Sequence, residues 1–300
     1  MPRKPVLPGP NDPALFKLTP QPPRTKVAAI ERPIWTEHKA RLIARYLRYF
    51  VFITHHGTYI DGFAGPQEAE SAEMWAAKLV LESEPRWLRQ FFLFDSSAAK
   101  VKKLRALVRA QPARKRGEPQ RRVRVRKGDF NRLALGVLRS SAIKEREATF
   151  CLLDQQTFEC RWSTVAALAR HKKTGLKIEL FYFLANLWLD RALKAATRPA
   201  TRRAIRAWWG APDWERLRDM RQPDRARLFA KRLQSLGYTY AMEWPIYERK
   251  GGKGHVMYYM IHATDHPEAP TLMRRAYKNA VNAPEPAEQL EIELGQPSGG

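Results

Sequence analysis

Three short apolar runs in this chain each stop at a carboxylate. Tyr59-Ile60 runs into Asp61, Phe91-Phe92-Leu93-Phe94 into Asp95, and Cys151-Leu152-Leu153 into Asp154. A fourth run, in which Arg and Val alternate from Arg122 to Arg126, leads to Gly128-Asp129-Phe130. The first carboxylate opens the turn Gly62-Phe63-Ala64-Gly65-Pro66. Glycines at that spacing let backbone approach a ligand with no side chain between them. Open parallel sheets bind ligands at the carboxyl ends of their strands. The chemistry expected is the holding of a nucleoside cofactor at the Gly turn, with the carboxylates accepting hydrogen bonds from hydroxyl and amino groups.

The elements that must carry these residues are read from periodicity. Trp35 to Ile53 has helical spacing, with Leu42, Ile43, Tyr46, Leu47 and Phe50 on one face and Arg41, Arg45 and Arg48 opposite. Strands are expected at Thr58–Asp61, Gln90–Asp95, Arg122–Arg126, Thr149–Asp154 and Lys177–Leu184. Helices are expected between them at Ser71–Ser83, Ser97–Ala110, Asn131–Ser140 and Ser163–His171. This βαβ order predicts an α/β fold, a doubly wound, mostly parallel sheet with helices on both faces. From Asp190 to Leu236 the chain reads as an Arg-rich helical insertion in which Trp208, Trp209 and Trp214 form a small core or a base-stacking surface. Tyr238–Tyr247 and His255–Ala263, joined by Lys250-Gly251-Gly252-Lys253-Gly254, read as a β-hairpin.

Composition narrows the function classes. The chain has 300 residues and a formal net charge of +24, which points to a polyanion partner. Lys100–Lys127 holds thirteen Lys or Arg against one acid, and Arg191–Arg232 holds thirteen against four. Nucleic acid binding through these two regions is expected, against the plainer reading of solvated helix faces. No apolar run reaches the roughly 18 residues of a membrane span. The Pro-rich start lacks the apolar stretch of a secretory signal and reads as a disordered basic arm over 1–33. The domain is expected over 34–280, and 281–300 reads as a disordered acidic tail. Cys151 and Cys160 are the only cysteines, and Cys151 sits mid-strand, so free thiols and a cytoplasmic location are expected. His55-His56 has no further ligand at metal spacing.

A parallel five-strand series followed by a C-terminal hairpin is the layout of class I S-adenosylmethionine methyltransferases. Glu37-His38-Lys39 with Tyr46-Leu47, the Tyr59–Pro66 stretch and Tyr258-Tyr259 resemble the three-Cys-motif partner protein family over roughly Trp35 to Lys278. That resemblance implies a methyltransferase-like fold and a partner that is a three-cysteine, radical-SAM-like protein. A more distant likeness is to the ribosomal RNA adenine-N6 methyltransferases, whose fourth strand ends in Asp-Pro-Pro and an aromatic residue. Here that place reads Asp154-Gln155-Gln156-Thr157-Phe158-Glu159, with both prolines replaced.

The likeness implies S-adenosylmethionine as cofactor, with Asp61, Gly62, Phe63 and Gly65 around its methionine end. Asp95 would accept the ribose hydroxyls, and Asp129 with Phe130 would meet the adenine. Asp154 would hold an acceptor amine and Phe158 would stack on the acceptor base, making these two the catalytic candidates. Three of these have a plainer alternative: turn capping for Asp61 and Asp129, and helix capping for Asp95. The function expected is methyl transfer to a nucleic acid, at a base amino group. The alternative is a non-catalytic nucleic-acid-binding partner of the three-cysteine protein.

Overall fold

The computed structural model describes residues 34–66 and 74–281. The basic arm, residues 282–300 of the acidic tail and the first residues of the helix expected from Ser71 lie outside the described residues. Helix α1 (Ile34–Thr54) opens the described chain and buries the stripe read from its spacing. The parallel strands are β1 (Thr58–Asp61), β2 (Gln90–Asp95), β3 (Arg122–Lys127), β4 (Thr149–Leu153) and β5 (Glu179–Ala185). Between them lie α2 (Ala76–Glu82), α3 (Ala98–Arg109), α4 (Phe130–Arg139) and α5 (Trp162–Ala169). The hairpin is β6 (Tyr240–Arg249) and β7 (Lys253–Thr264), and α9 (Ala269–Val281) closes the described residues.

The seven strands of the described residues form one sheet in the order β3-β2-β1-β4-β5-β7-β6. The first five run parallel, and β7 enters antiparallel between β5 and β6. This mixed α/β arrangement, mostly parallel with helices on its faces and a C-terminal hairpin, is consistent with a methyltransferase-like fold.

Side chains alternate through the central strands, so each face of the sheet carries its own core. Ile60, Phe92, Cys151, Leu153, Leu180 and Tyr182 belong to one core. Tyr59, Phe91, Phe150, Leu152, Phe181 and Phe183 belong to the other, which includes the stripe of α1 and residues of α9. Between β5 and β6 the Arg-rich insertion forms α6 (Asn186–Lys194), α7 (Pro199–Trp209), a 3-10 segment at Pro212–Arg218 and α8 (Gln222–Gln234). Trp208, Trp209 and Trp214 are buried, so they serve as core. Trp208 stacks on Phe229 at 5.8 Å and donates its indole N–H to the Tyr182 hydroxyl at 2.6 Å. Both cysteines are free and buried, and burial pushes both thiols up. No helix among the described residues is long and apolar enough to cross a membrane.

Candidate functional site

Register frames the Gly turn with carboxylates. Asp61 lies level with Leu93 on β2 and with Leu152 on β4. Asp95 and Asp154 therefore stand further along the strands on either side of the point where the chain leaves β1. Asp61 is buried and accepts hydrogen bonds from the Tyr59 hydroxyl and the Phe63 N–H, each at 3.0 Å. Burial pushes its carboxyl up to about 7, and the nearby Asp154 and Asp95 add to that rise against the two hydrogen bonds. Asp61 thus does cap the turn, and it also shares a cleft with Asp154, Phe63 and Gly65.

Asp95 is held by backbone. It accepts the Gly65 N–H at 3.1 Å and the Ser97 N–H at 2.7 Å. The cap of α3 is Ser97, whose side chain accepts from the Lys100 N–H. Gly65 is required because a Cβ there would stand 2.3 Å from Asp95 Oδ2 and 2.6 Å from Lys100 Cβ. Gly62 is closed in by Phe130 and Leu153, each 3.1 Å from where its Cβ would be. Each carboxylate oxygen of Asp95 keeps capacity for a second donor.

Asp129 lies at the start of α4. It is exposed and caps α4, accepting from the Asn131 N–H at 3.0 Å and from Asn131 Nδ2 at 2.8 Å. Phe130 is buried against Phe94 and Phe63, with centroids at 5.4 and 5.8 Å. Phe158 is half-buried and packs against the core on that side of the sheet. Gln155 is buried, and its Oε1 accepts the Cys160 N–H at 2.8 Å, so it braces the loop after β4.

Two site residues were not legible as such. Lys39, on α1, pairs its ammonium with Asp154 Oδ1, and both side chains are largely buried. The same ammonium lies 4.8 Å from the Phe183 ring centroid and 4.3 Å from that of Tyr258. The sequence signal was a lysine three and four positions before Leu42 and Ile43, on a stripe that must be buried. Asn131 joins two loops: its Nδ2 donates to the Glu159 carbonyl at 2.9 Å, and its Oδ1 accepts from the Arg161 N–H at 2.7 Å and the Thr164 hydroxyl at 2.8 Å.

The acceptors at this edge suit the hydroxyl and amino groups of a nucleoside cofactor, whereas the space is small. The cleft at the Gly turn measures about 40 Å³. Ligand pockets run from roughly 300 Å³ upward. Trp75 closes it, donating its indole N–H to the Ala64 carbonyl at 2.6 Å. A cofactor the size of S-adenosylmethionine is larger than the cleft with that contact made. Among the described residues no group of three or more His, Cys, Asp or Glu could hold a metal.

The two basic regions are largely exposed, but not every charge in them is available. Arg225 is buried, with Nε on the Leu217 carbonyl at 2.6 Å and its guanidinium paired with Asp190. Arg232 lies between Trp162 and Trp209, 3.9 and 3.8 Å from their centroids, and burial lowers its guanidinium to about 10. Arg121 and Arg124 lie over Phe91 and Phe92. The exposed remainder includes Lys102, Lys103, Arg105 and Arg109 on α3, and Arg203 and Arg206 on α7, while Arg202 pairs with Glu215 at 3.0 Å.

No family model matches the chain and no curated protein matches it. Among solved structures, the crystal structure of protein LPL1258 from Legionella pneumophila str. Philadelphia 1, assigned to family-model DUF519, is similar at a TM-score of 0.46 and 10% identity, covering 83% of this chain and 93% of that one. A likeness at that level assigns no role to any residue here, and the site rests on the geometry of this chain.

Proposed function

We propose that this chain is a methyltransferase-like protein that takes S-adenosylmethionine at the Gly62–Gly65 turn and acts on nucleic acid at a base amino group. The observation that carries the reading is the row of carboxylates Asp95, Asp61 and Asp154 at the carboxyl ends of β2, β1 and β4, around that turn. The cofactor, when bound, supplies a methyl group already activated on a sulfonium. The chain's own task is alignment. Asp95 offers its remaining acceptor capacity to ribose hydroxyls. Asp154 accepts a hydrogen bond from the incoming amine, for which Lys39 must share or yield the carboxylate. Trp75 keeps water out of the cleft while closed. The exposed cations of α3 and α7 attract the phosphate backbone, and an acceptor base in a duplex has to be flipped or already unpaired.

A second reading has its own support. The Lys39–Asp154 pair places a cation of this chain where the acceptor amine would lie, which favours a non-catalytic nucleic-acid-binding partner of a three-cysteine, radical-SAM-like protein. Titration with S-adenosylmethionine, followed by radiolabelled methyl transfer to total RNA and DNA with and without the three-cysteine partner, separates the two. The first reading expects saturable binding weakened by Asp95→Ala. It also expects at least a hundredfold loss of transfer in Asp154→Asn, equivalent to about 2.7 kcal/mol of barrier. Absence of cofactor binding at millimolar concentration removes it. Equal inertness of wild type and Asp154→Asn, with nucleic acid still bound, supports the second.

A further inference from the structure

Two cavities larger than the cleft at the Gly turn lie at the other edge of the sheet, where the parallel strands begin. One, of about 350 Å³, has mainly apolar walls that include Phe50, Ile53, Leu176 and Leu272. Glu179, the first residue of β5, also lines it. This carboxylate is nearly fully buried, and its Oε1 takes both the Tyr46 hydroxyl and His262 Nε2, the latter at 2.7 Å. Burial keeps the Tyr46 hydroxyl protonated, so it donates. Among the described residues no donor reaches Oε2, which is the acceptor left for a ligand.

A second cleft, of about 450 Å³, adjoins the first, since His56, Arg146 and Glu147 line both. Its walls carry Arg89, Arg122, Lys144 and Arg146, all exposed. Arg122 donates its backbone N–H to the Arg89 carbonyl at 2.7 Å, which sets those two arginines side by side where β2 and β3 begin. None of the four cations is in an ion pair among the described residues. The single acid on this wall, Glu147, is held by Gln90 Nε2 at 3.3 Å. The rim is built by close packing. Glu145 accepts the Lys173 and Thr174 N–H groups at 2.9 and 3.3 Å, and a Cβ on Gly175 would stand 2.5 Å from the Glu145 carbonyl.

A mainly apolar chamber with the buried Glu179 carboxylate in its wall, and with Glu145 and Glu147 at its rim, opening onto four cations that form no ion pair among the described residues, is complementary to a flat heterocycle with an amino group on one side and phosphate on the other. We propose that this edge binds a nucleoside phosphate, with an amino-bearing base in the apolar chamber beside Glu179 and the phosphate against Arg89, Arg122, Lys144 and Arg146. The ligand is either a free nucleotide or one unpaired nucleotide of a strand, since the recognising chemistry is the same. The assignment is independent of the cofactor reading: the two sites sit at opposite ends of the strands.

The test is calorimetric titration of the full chain with AMP, with purine riboside monophosphate, which lacks the amino group, and with a labelled adenine trinucleotide. Saturable AMP binding is expected, at least tenfold weaker for the deamino analogue. A tenfold or greater loss is expected both in Arg122→Glu/Arg146→Glu and in Leu272→Trp, which fills the chamber from its half-buried wall. Tighter binding of the trinucleotide identifies a strand as the source, and equal binding identifies the free nucleotide. These variants leave Glu179, Tyr46 and His262 in place, and a thermal melt confirms that each is folded. No saturable binding of either adenine probe, or binding unchanged in both variants, overturns the proposal. Repeating the titration in Asp95→Ala separates it from the cofactor reading, because AMP binding that vanishes there belongs to the Gly turn.

Discussion

The two edges of one sheet are built on opposite terms. Where the strands end, the chain has gathered charge and then enclosed it: Asp61 is buried, Asp95 is tied to Gly65, and Asp154 is paired with Lys39 in a cleft of about 40 Å³. Where the strands begin, Glu179 is buried, but Arg89, Arg122, Lys144 and Arg146 stay at the surface and the cavities are wide, about 350 and 450 Å³. A carboxylate at a strand end therefore marks a site only together with the space around it. Buried charge has to be matched by a partner or neutralised, and the partner then competes with any ligand.

Lys39 tests this contrast most severely. Lys39→Met leaves the Asp154 carboxylate in a closed cleft without its cation. Removing one partner of a buried pair costs about 3–5 kcal/mol, so denaturant unfolding should show a loss of that order. Adding Asp154→Asn should restore part of it. Unchanged stability in the single variant would mean that this edge is wetter than described and the contrast weaker.

Asp61 is the next lever. Its carboxyl is raised to about 7 in the fold by burial, above its ordinary value of 3.8. The folded state thus holds the proton more tightly than the unfolded chain. Stability from this group is complete below about pH 4 and is lost as pH rises through about 7. Asp61→Asn removes the charge and keeps an acceptor for the Phe63 N–H. Relative to wild type it should gain on the order of 2–3 kcal/mol between pH 5 and pH 8, read from unfolding curves at the two pH values. No pH dependence in the difference would show that Asp61 is solvated.

The smallest effect compares the edges directly. Gly65→Ala drives a methyl into Asp95 and Lys100, and overpacking of this kind costs about 1–3 kcal/mol. Arg146→Ala, exposed at the opposite edge, should stay within about 0.5 kcal/mol. Equal losses in thermal melts would remove the distinction between an enclosed and an open edge.

The strands were the legible part of this chain. Gln90–Asp95 and Thr58–Asp61 have the bounds read from their apolar runs, because a continuous apolar segment ending at a carboxylate fits a central parallel strand and little else. Asp61 and Asp154 were legible by the same token, and register brings them to one cleft. Their partners were not. Lys39 meets Asp154 across more than a hundred residues of chain, and local spacing carries no record of such a meeting. Asp129 and Asp95 show the converse: a residue at a strand end is also the first residue available to cap the next turn or helix, and sequence cannot divide the two duties. Arg225 and Arg232 looked like surface charge because a helix this rich in arginine hides which ones turn inward. The cavity beside Glu179 had no sequence signal, since its walls come from α1, the loops leading into β4 and β5, and α9.

Among the described residues the strand order leaves β3 and β6 at the margins of the sheet. Each margin carries an obstacle to a stray strand from another molecule. On β3 every second residue is an arginine, Arg122, Arg124 and Arg126, so two such margins repel one another. On β6, Pro245 removes a backbone donor and the pairing shifts register beside Tyr247. Some of the positive charge of this chain thus keeps molecules of its own kind from joining sheet to sheet, and would be wanted in a crowded solution whether or not a polyanion were ever present.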